Sequence, residues 1–222
     1  MNIIIPYSTM AAIELFASAK DVRGYLEYTH VVLADPHKAY VTASDGKMLA
    51  RAVIFSEAPM GTTGEALLVP RCAASFRNCR PYTFIRIDSL PSQDADNDVA
   101  GHDMRASCGD TSMVLRASWH ASSFPDVAHR WPKTLSLKGA AYDAELTARL
   151  AKAKKLLGVK RPAYVLPNGD DAPGLCELGD DFAVIVMPVR TKAAGASQVT
   201  LCEWHGTKLA YPDPEPANEA AS

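Results

Sequence analysis

One order of elements is spelled three times along this chain of 222 residues, and that repetition restricts the fold more than anything else in it. Residues 2–6 read as a strand. Ser8 stands as an N-cap before Met10, Ile13, Phe16 and Ala17, which recur at helical spacing. Residues 23–34 are rich in β-branched and aromatic side chains, and a hairpin follows, with arms 39–42 and 49–55 around Ser44-Asp45-Gly46-Lys47. Asp-Gly between apolar arms is a strong hairpin signal because both residues accept positive φ. The first 57 residues therefore predict strand, helix and three antiparallel strands.

After a linker over 58–65 the order returns: strand 66–70, short helix 71–80 opened by Pro70 at a first-turn position, then strands 83–88, 104–107 and 112–119. Residues 89–102, acidic and without periodicity, read as an exposed loop. The third copy places a strand at 134–137 and the clearest helix at 141–157, where Leu146, Leu150, Ala153 and Leu157 form one stripe, Asp143 caps the start and Gly158 ends it. Strands at 163–166, 174–178 and 182–189 complete it. These units, each about sixty residues long, predict an α+β fold with antiparallel sheets. The organisation read from them is a two-repeat domain over 1–120 (repeats 1–57 and 66–119), a connector over 121–133, a half-domain over 134–190 and a C-terminal extension over 191–222. The extension offers one strand at 198–204 and ends in Pro- and acid-rich sequence, so its last ten residues are expected to be flexible.

A net charge of −2 gives no global attraction to nucleic acid, so any such contact needs a local basic face. Five cysteines with no Cys-x-x-Cys pair suit reduced thiols and argue against zinc. The apolar run at the N-terminus is too short for a signal peptide or a membrane span, so a cytoplasmic protein without membrane contact is expected. Six histidines occur singly, and no nucleophile elbow or phosphate-binding loop is present. Asp170-Asp171 and Asp180-Asp181 sit in turn-like contexts where Asp bonds its own backbone. The expectation is a protein without catalytic activity, cofactor or metal. A metal-dependent reading through those aspartates is the minor alternative.

Several stretches then stand together: Val22-Arg23-Gly24-Tyr25-Leu26, Ala43-Ser44-Asp45-Gly46-Lys47-Met48-Leu49-Ala50, Leu68-Val69-Pro70-Arg71, Ser123-Phe124-Pro125-Asp126 and Val186-Met187-Pro188-Val189-Arg190. In order and spacing they resemble the VR-x-YL, ATDGHRLA, VPR, RFPDY and VMPMR motifs of the β sliding clamp, the processivity subunit of the bacterial replicative polymerase. The resemblance covers that family's middle domain and the C-terminal half of its last domain. Ser44, Lys47 and Met48 replace Thr, His and Arg of the family pattern, His129 and Arg130 stand for Arg and Val, and the extension has no counterpart.

The resemblance implies a processivity or tethering protein of the DNA-clamp fold, active in replication or repair. It implies non-specific contact with the phosphates of double-stranded DNA through Tyr25, Arg71, Arg77, Arg80, Arg149, Lys152, Lys154 and Lys155, for which a solvated helix face is the plain alternative. It also implies capture of short apolar peptide motifs of polymerases or repair enzymes. The pocket carries over to Arg23, Leu26, Ser44, Gly46, Lys47, Met48, Leu49, Pro125, His129, Arg130, Ile185 and Met187, an adaptable apolar floor with a cationic rim. Leu26, Leu49 and Ile185 are equally readable as core. Three units per chain imply a homo-oligomer of four chains if a ring of twelve units closes. A phage or mobile-element module that keeps only the pocket is the other reading.

Overall fold

The computed structural model describes residues 1–78, 83–90, 103–127, 130–136, 139–169 and 171–189. The repeated order is present, and the first two units interlock. Strand β1 (Asn2–Pro6), helix α1 (Tyr7–Glu14) and strands β2 (Thr29–Asp35), β3 (Lys38–Ser44) and β4 (Met48–Phe55) form the first; β5 (Ala66–Val69), a 3-10 turn (Ala73–Phe76), β6 (Phe84–Ser89), β7 (Asp103–Cys108) and β8 (Thr111–Arg116) form the second. Each leading strand leaves its own unit: β1 pairs antiparallel with β6, and β5 pairs antiparallel with β2. From the third unit come α2 (Ala144–Leu156), β9 (Gly174–Glu177) and β10 (Phe182–Val186). Because β10 pairs with β4, the sheets run β1-β6-β7-β8 and β5-β2-β3-β4-β10-β9.

Alternation along β3 and β4 assigns the two faces of the six-stranded sheet. Ala39, Val41, Ala43, Met48, Ala50, Ala52 and Ile54 are buried on one face. Phe182, opposite Ala52, meets Phe16 with ring centroids 6.4 Å apart, so this face looks toward α1. Four alanines there leave room for the helix backbone to approach. The opposite face carries His30, Tyr40, Thr42, Ser44, Leu49, Arg51 and Ile185, on which the segment after β8 lies: Phe124 stacks on His30 at 4.6 Å and Trp131 sits 5.2 Å from the Arg51 guanidinium.

Several predicted elements are altered. The helix expected over 71–80 is a single 3-10 turn, with residues 79–80 outside the described set. Its opening N–H groups, Cys72 and Ala73, are taken at 2.7 and 2.9 Å by Oε1 of Glu14, a carboxylate that burial pushes up and these two hydrogen bonds draw down. Helix α1 starts at Tyr7 with Pro6 as its cap residue, so Ser8 is inside the helix and caps nothing. Residues 23–28 are a 3-10 turn (Gly24–Glu27) and its flanks; the strand starts only at Thr29. Thr134, Lys133 and Ser136 lie outside any strand; Ala141 bridges Val189 in its place. The strand over 163–166 is one bridge, Leu166 to Leu175, and β10 stops at Val186 because Pro188 carries no donor. Helix α2 is present but starts at Ala144 rather than 141: Asp143 Oδ1 caps it by accepting the Glu145 N–H at 2.8 Å, Leu146, Leu150 and Ala153 are buried, and Gly158 follows at φ 68°. Cys72 and Cys176 are buried free thiols, whereas Cys108 is disulfide-bonded, which corrects the reading of five reduced cysteines: an odd count still admits a bridge. Residues 1–190 make one compact unit. The strand and flexible end expected in the extension, like the loop residues 91–102, lie outside the described residues.

Candidate functional site

The Asp-Gly turn is built by short side chains bonding their own backbone. Ser44 Oγ donates to the Met48 carbonyl at 2.8 Å and accepts the Gly46 N–H at 3.1 Å; Asp45 Oδ1 accepts the N–H of Lys47 at 2.9 Å and of Met48 at 2.8 Å. Serine in place of threonine therefore keeps the one group the turn uses. Gly46 has φ 86°, a backbone that calls for glycine; a Cβ on it would stand 2.8 Å from Arg23 Nη2, the far end of an exposed side chain.

Strand register then forms a row: Ser44 is opposite Leu49, Leu49 opposite Ile185, and Ile185 opposite Leu175. Just beyond β10, the Met187 N–H donates to the Lys47 carbonyl at 2.9 Å. Two of the motifs, about 140 residues apart in the chain, thus share one hydrogen-bonded edge. Leu49 is 6% and Ile185 5% exposed, Leu26 is buried too, and Met187 is 40% exposed. The floor is part of the core, and the methionine is its accessible end. Met48 does not line the row: alternation turns it, 1% exposed, to the helix-facing side. Arg23, Gly46, Lys47, Pro125 and Arg130 are exposed, and His129 lies outside the described residues. Arg23 chelates Asp21 through its backbone N–H, Nε and Nη2 at 2.8, 2.9 and 3.1 Å, which holds that carboxyl below its usual range.

The basic residues divide. Lys152 and Lys155 are exposed on α2 and line, with Tyr7, Leu15 and Leu157, a cleft of about 680 Å³. Arg77 is exposed, Lys154 half-buried, and Arg80 outside the described residues. Arg71 is partly committed, its Nη2 donating to the Glu14 carbonyl at the end of α1 at 3.1 Å. Tyr25 packs edge-on against Trp119 and Phe124, at 6.2 and 6.4 Å. Arg149 is ion-paired with Asp45 Oδ2.

Residues outside the motifs complete the site. His30, under Phe124, has its pKa pushed down to about 4, first by burial and then by Arg51. Burial also lowers the Arg51 pKa, and its guanidinium lies between the Tyr40 and Trp131 rings at 5.0 and 5.2 Å. Neither residue carries a motif signal; only the register that aligns His30, Thr42 and Arg51 reveals them. Among the described residues no three His, Cys, Asp or Glu side chains converge as a metal site, and no helix is long and apolar enough to cross a membrane. Asp180, 94% exposed, pairs with Arg161, and Asp170 is outside the described residues.

No protein-family model matches the chain, and no curated protein matches it in sequence. Solved structures do match. The DNA polymerase sliding clamp of Bacillus subtilis is 12% identical with a TM-score of 0.64, over 86% of this chain and 64% of that one. The DNA polymerase β subunit of Streptococcus pyogenes gives 13% and 0.61, over 86% and 66%. The Pseudomonas aeruginosa sliding clamp, in a structure bound to griselimycin, gives 15% and 0.57, over 86% and 65%. The chain spans just under two thirds of the length of each.

Proposed function

We propose that this chain, which has the fold of the bacterial β sliding clamps, is a non-catalytic tethering protein that captures short apolar peptide motifs of polymerases or repair enzymes and contacts the phosphates of duplex DNA. The observation that carries the reading is the pairing of β4 with β10, which sets Ser44, Leu49 and Ile185 in one row and joins Met187 to Lys47. An aliphatic row ending in an exposed methionine, with Lys47 beside it and Arg23 against the turn, suits a peptide with apolar anchors and an acidic or carboxylate group. Phosphate contact falls to Arg77, Lys152, Lys154 and Lys155, joined by the exposed part of Arg71. The test is titration of a fluorescein-labelled hexapeptide with leucine and phenylalanine anchors. Micromolar binding that weakens at least ten-fold in Met187→Ala is expected; no binding to the wild type removes the peptide function.

A second reading rests on the same row: a pocket-bearing module, of phage or mobile-element source, that recruits clamp-binding proteins without encircling DNA, for which the pairing of β4 with β10 within one chain is sufficient. Retention on circular DNA that is lost on linearisation supports encirclement. Equal release from both forms favours the module.

A further inference from the structure

We propose that Arg149 is a positioning residue of the peptide site, holding the 44–48 turn through Asp45, and does not belong to the phosphate-contacting strip of its own helix. The inference rests on the peptide-capture reading.

The Asp45 carboxylate is divided between two tasks. Oδ1 accepts the N–H groups of Lys47 and Met48, which fixes the turn, while Oδ2 accepts Nη1 of Arg149. The next link is the Lys47 carbonyl, which takes the Met187 N–H at 2.9 Å. One path of charge-assisted and backbone hydrogen bonds thus runs from α2 through the turn to the exposed methionine. Its two ion-paired members come from separate units, 104 residues apart, and one of them follows directly on β3 and the other lies in α2. The Asp45 side chain is only 11% exposed. Taking away its cation leaves a sheltered carboxylate without compensation, and its escape toward water releases both turn N–H groups.

The same geometry withdraws Arg149 from phosphate work. Its side chain is 33% exposed, whereas Lys152 and Lys155, one and two turns further along α2, are exposed. A guanidinium already neutralised by a carboxylate displaces no counterion from DNA, so it adds nothing to the salt dependence of binding.

The experiment uses the full chain, with Arg149→Gln, Arg149→Lys, Asp45→Asn and Lys152→Gln, each checked for a cooperative melt. Amide exchange of Gly46, Lys47 and Met48 is followed together with hexapeptide affinity and the salt slope of binding to a 30-base-pair duplex. Arg149→Gln and Asp45→Asn are expected to speed exchange of the Lys47 and Met48 amides more than that of Gly46, which Ser44 Oγ holds, and to weaken the peptide by about ten-fold, the scale on which a sheltered charge pair acts. Arg149→Lys should recover part of both. The DNA salt slope should stay at the wild-type value in Arg149→Gln and fall by about 0.9 in Lys152→Gln. Unchanged exchange in Arg149→Gln, or a slope reduced as in Lys152→Gln, overturns the proposal. If the wild type binds no peptide, the peptide reading fails, and amide exchange alone then decides whether Arg149 holds the turn.

Discussion

Gly46 and His30 show how much of this site rests on single residues. An alanine at 46 meets a left-handed backbone, worth about 1–2 kcal/mol. Gly46→Ala should therefore lower the melting temperature by several degrees and loosen the turn amides, which calorimetry and hydrogen exchange will register. His30 makes stability depend on pH with a definite sign. Unfolded, it titrates near 6.5; folded, near 4, so the unfolded chain binds the extra proton between those values. The stability held by neutral His30 is complete above about pH 6.5 and is lost as the pH falls toward 4, by roughly 2–3 kcal/mol. Denaturant melts at pH 7 and 4.5 should show the loss, and His30→Phe, which keeps the stack on Phe124, should reduce it. Glu14 acts in a third way, by accepting two backbone donors, the N–H groups of Cys72 and Ala73. Glu14→Ala should cost about 2–3 kcal/mol in chemical denaturation.

Elements differ in how far they could be read from sequence, and the difference is physical. Helix α2 was legible because one stripe, a capping aspartate and a terminating glycine agree, and Leu150→Ala should cost about 2–5 kcal/mol in a thermal melt. The second helix was misread because spacing cannot show that Glu14, some 58 residues earlier, supplies the capping contacts that settle a short turn. The strand at 134–137 was misread for a related reason: its place is taken by a bridge from Ala141 to Val189. In the site, Leu49, Ile185 and Met187 were legible through motifs, and register brought them together. Met48 was misplaced by a motif that ignores alternation along β4. Arg51 and Trp131 carry no local signal and Arg149 is legible only as a basic residue of its helix, because each meets its partner on another element.

For the whole molecule, the central position of β10 between β4 and β9 makes the third unit an extension of the first sheet. Ile185→Pro should break that ladder, cost about 3 kcal/mol or more, and abolish the cooperativity of the melt together with the proposed peptide binding. If the basic face of α2 meets DNA, affinity should fall steeply with salt, and light scattering of the free chain should report the mass of four chains if a ring closes.

The exchange of leading strands bears on how the chain survives cutting. The linker over 58–65 joins two units that have each lodged their first strand in the other's sheet. A protease nick there severs the covalent path and leaves both ladders in place, so the pieces should travel together in sizing and come apart only in denaturant. Expressed separately, they should form a split-protein pair, in which neither half completes a sheet until it meets the other.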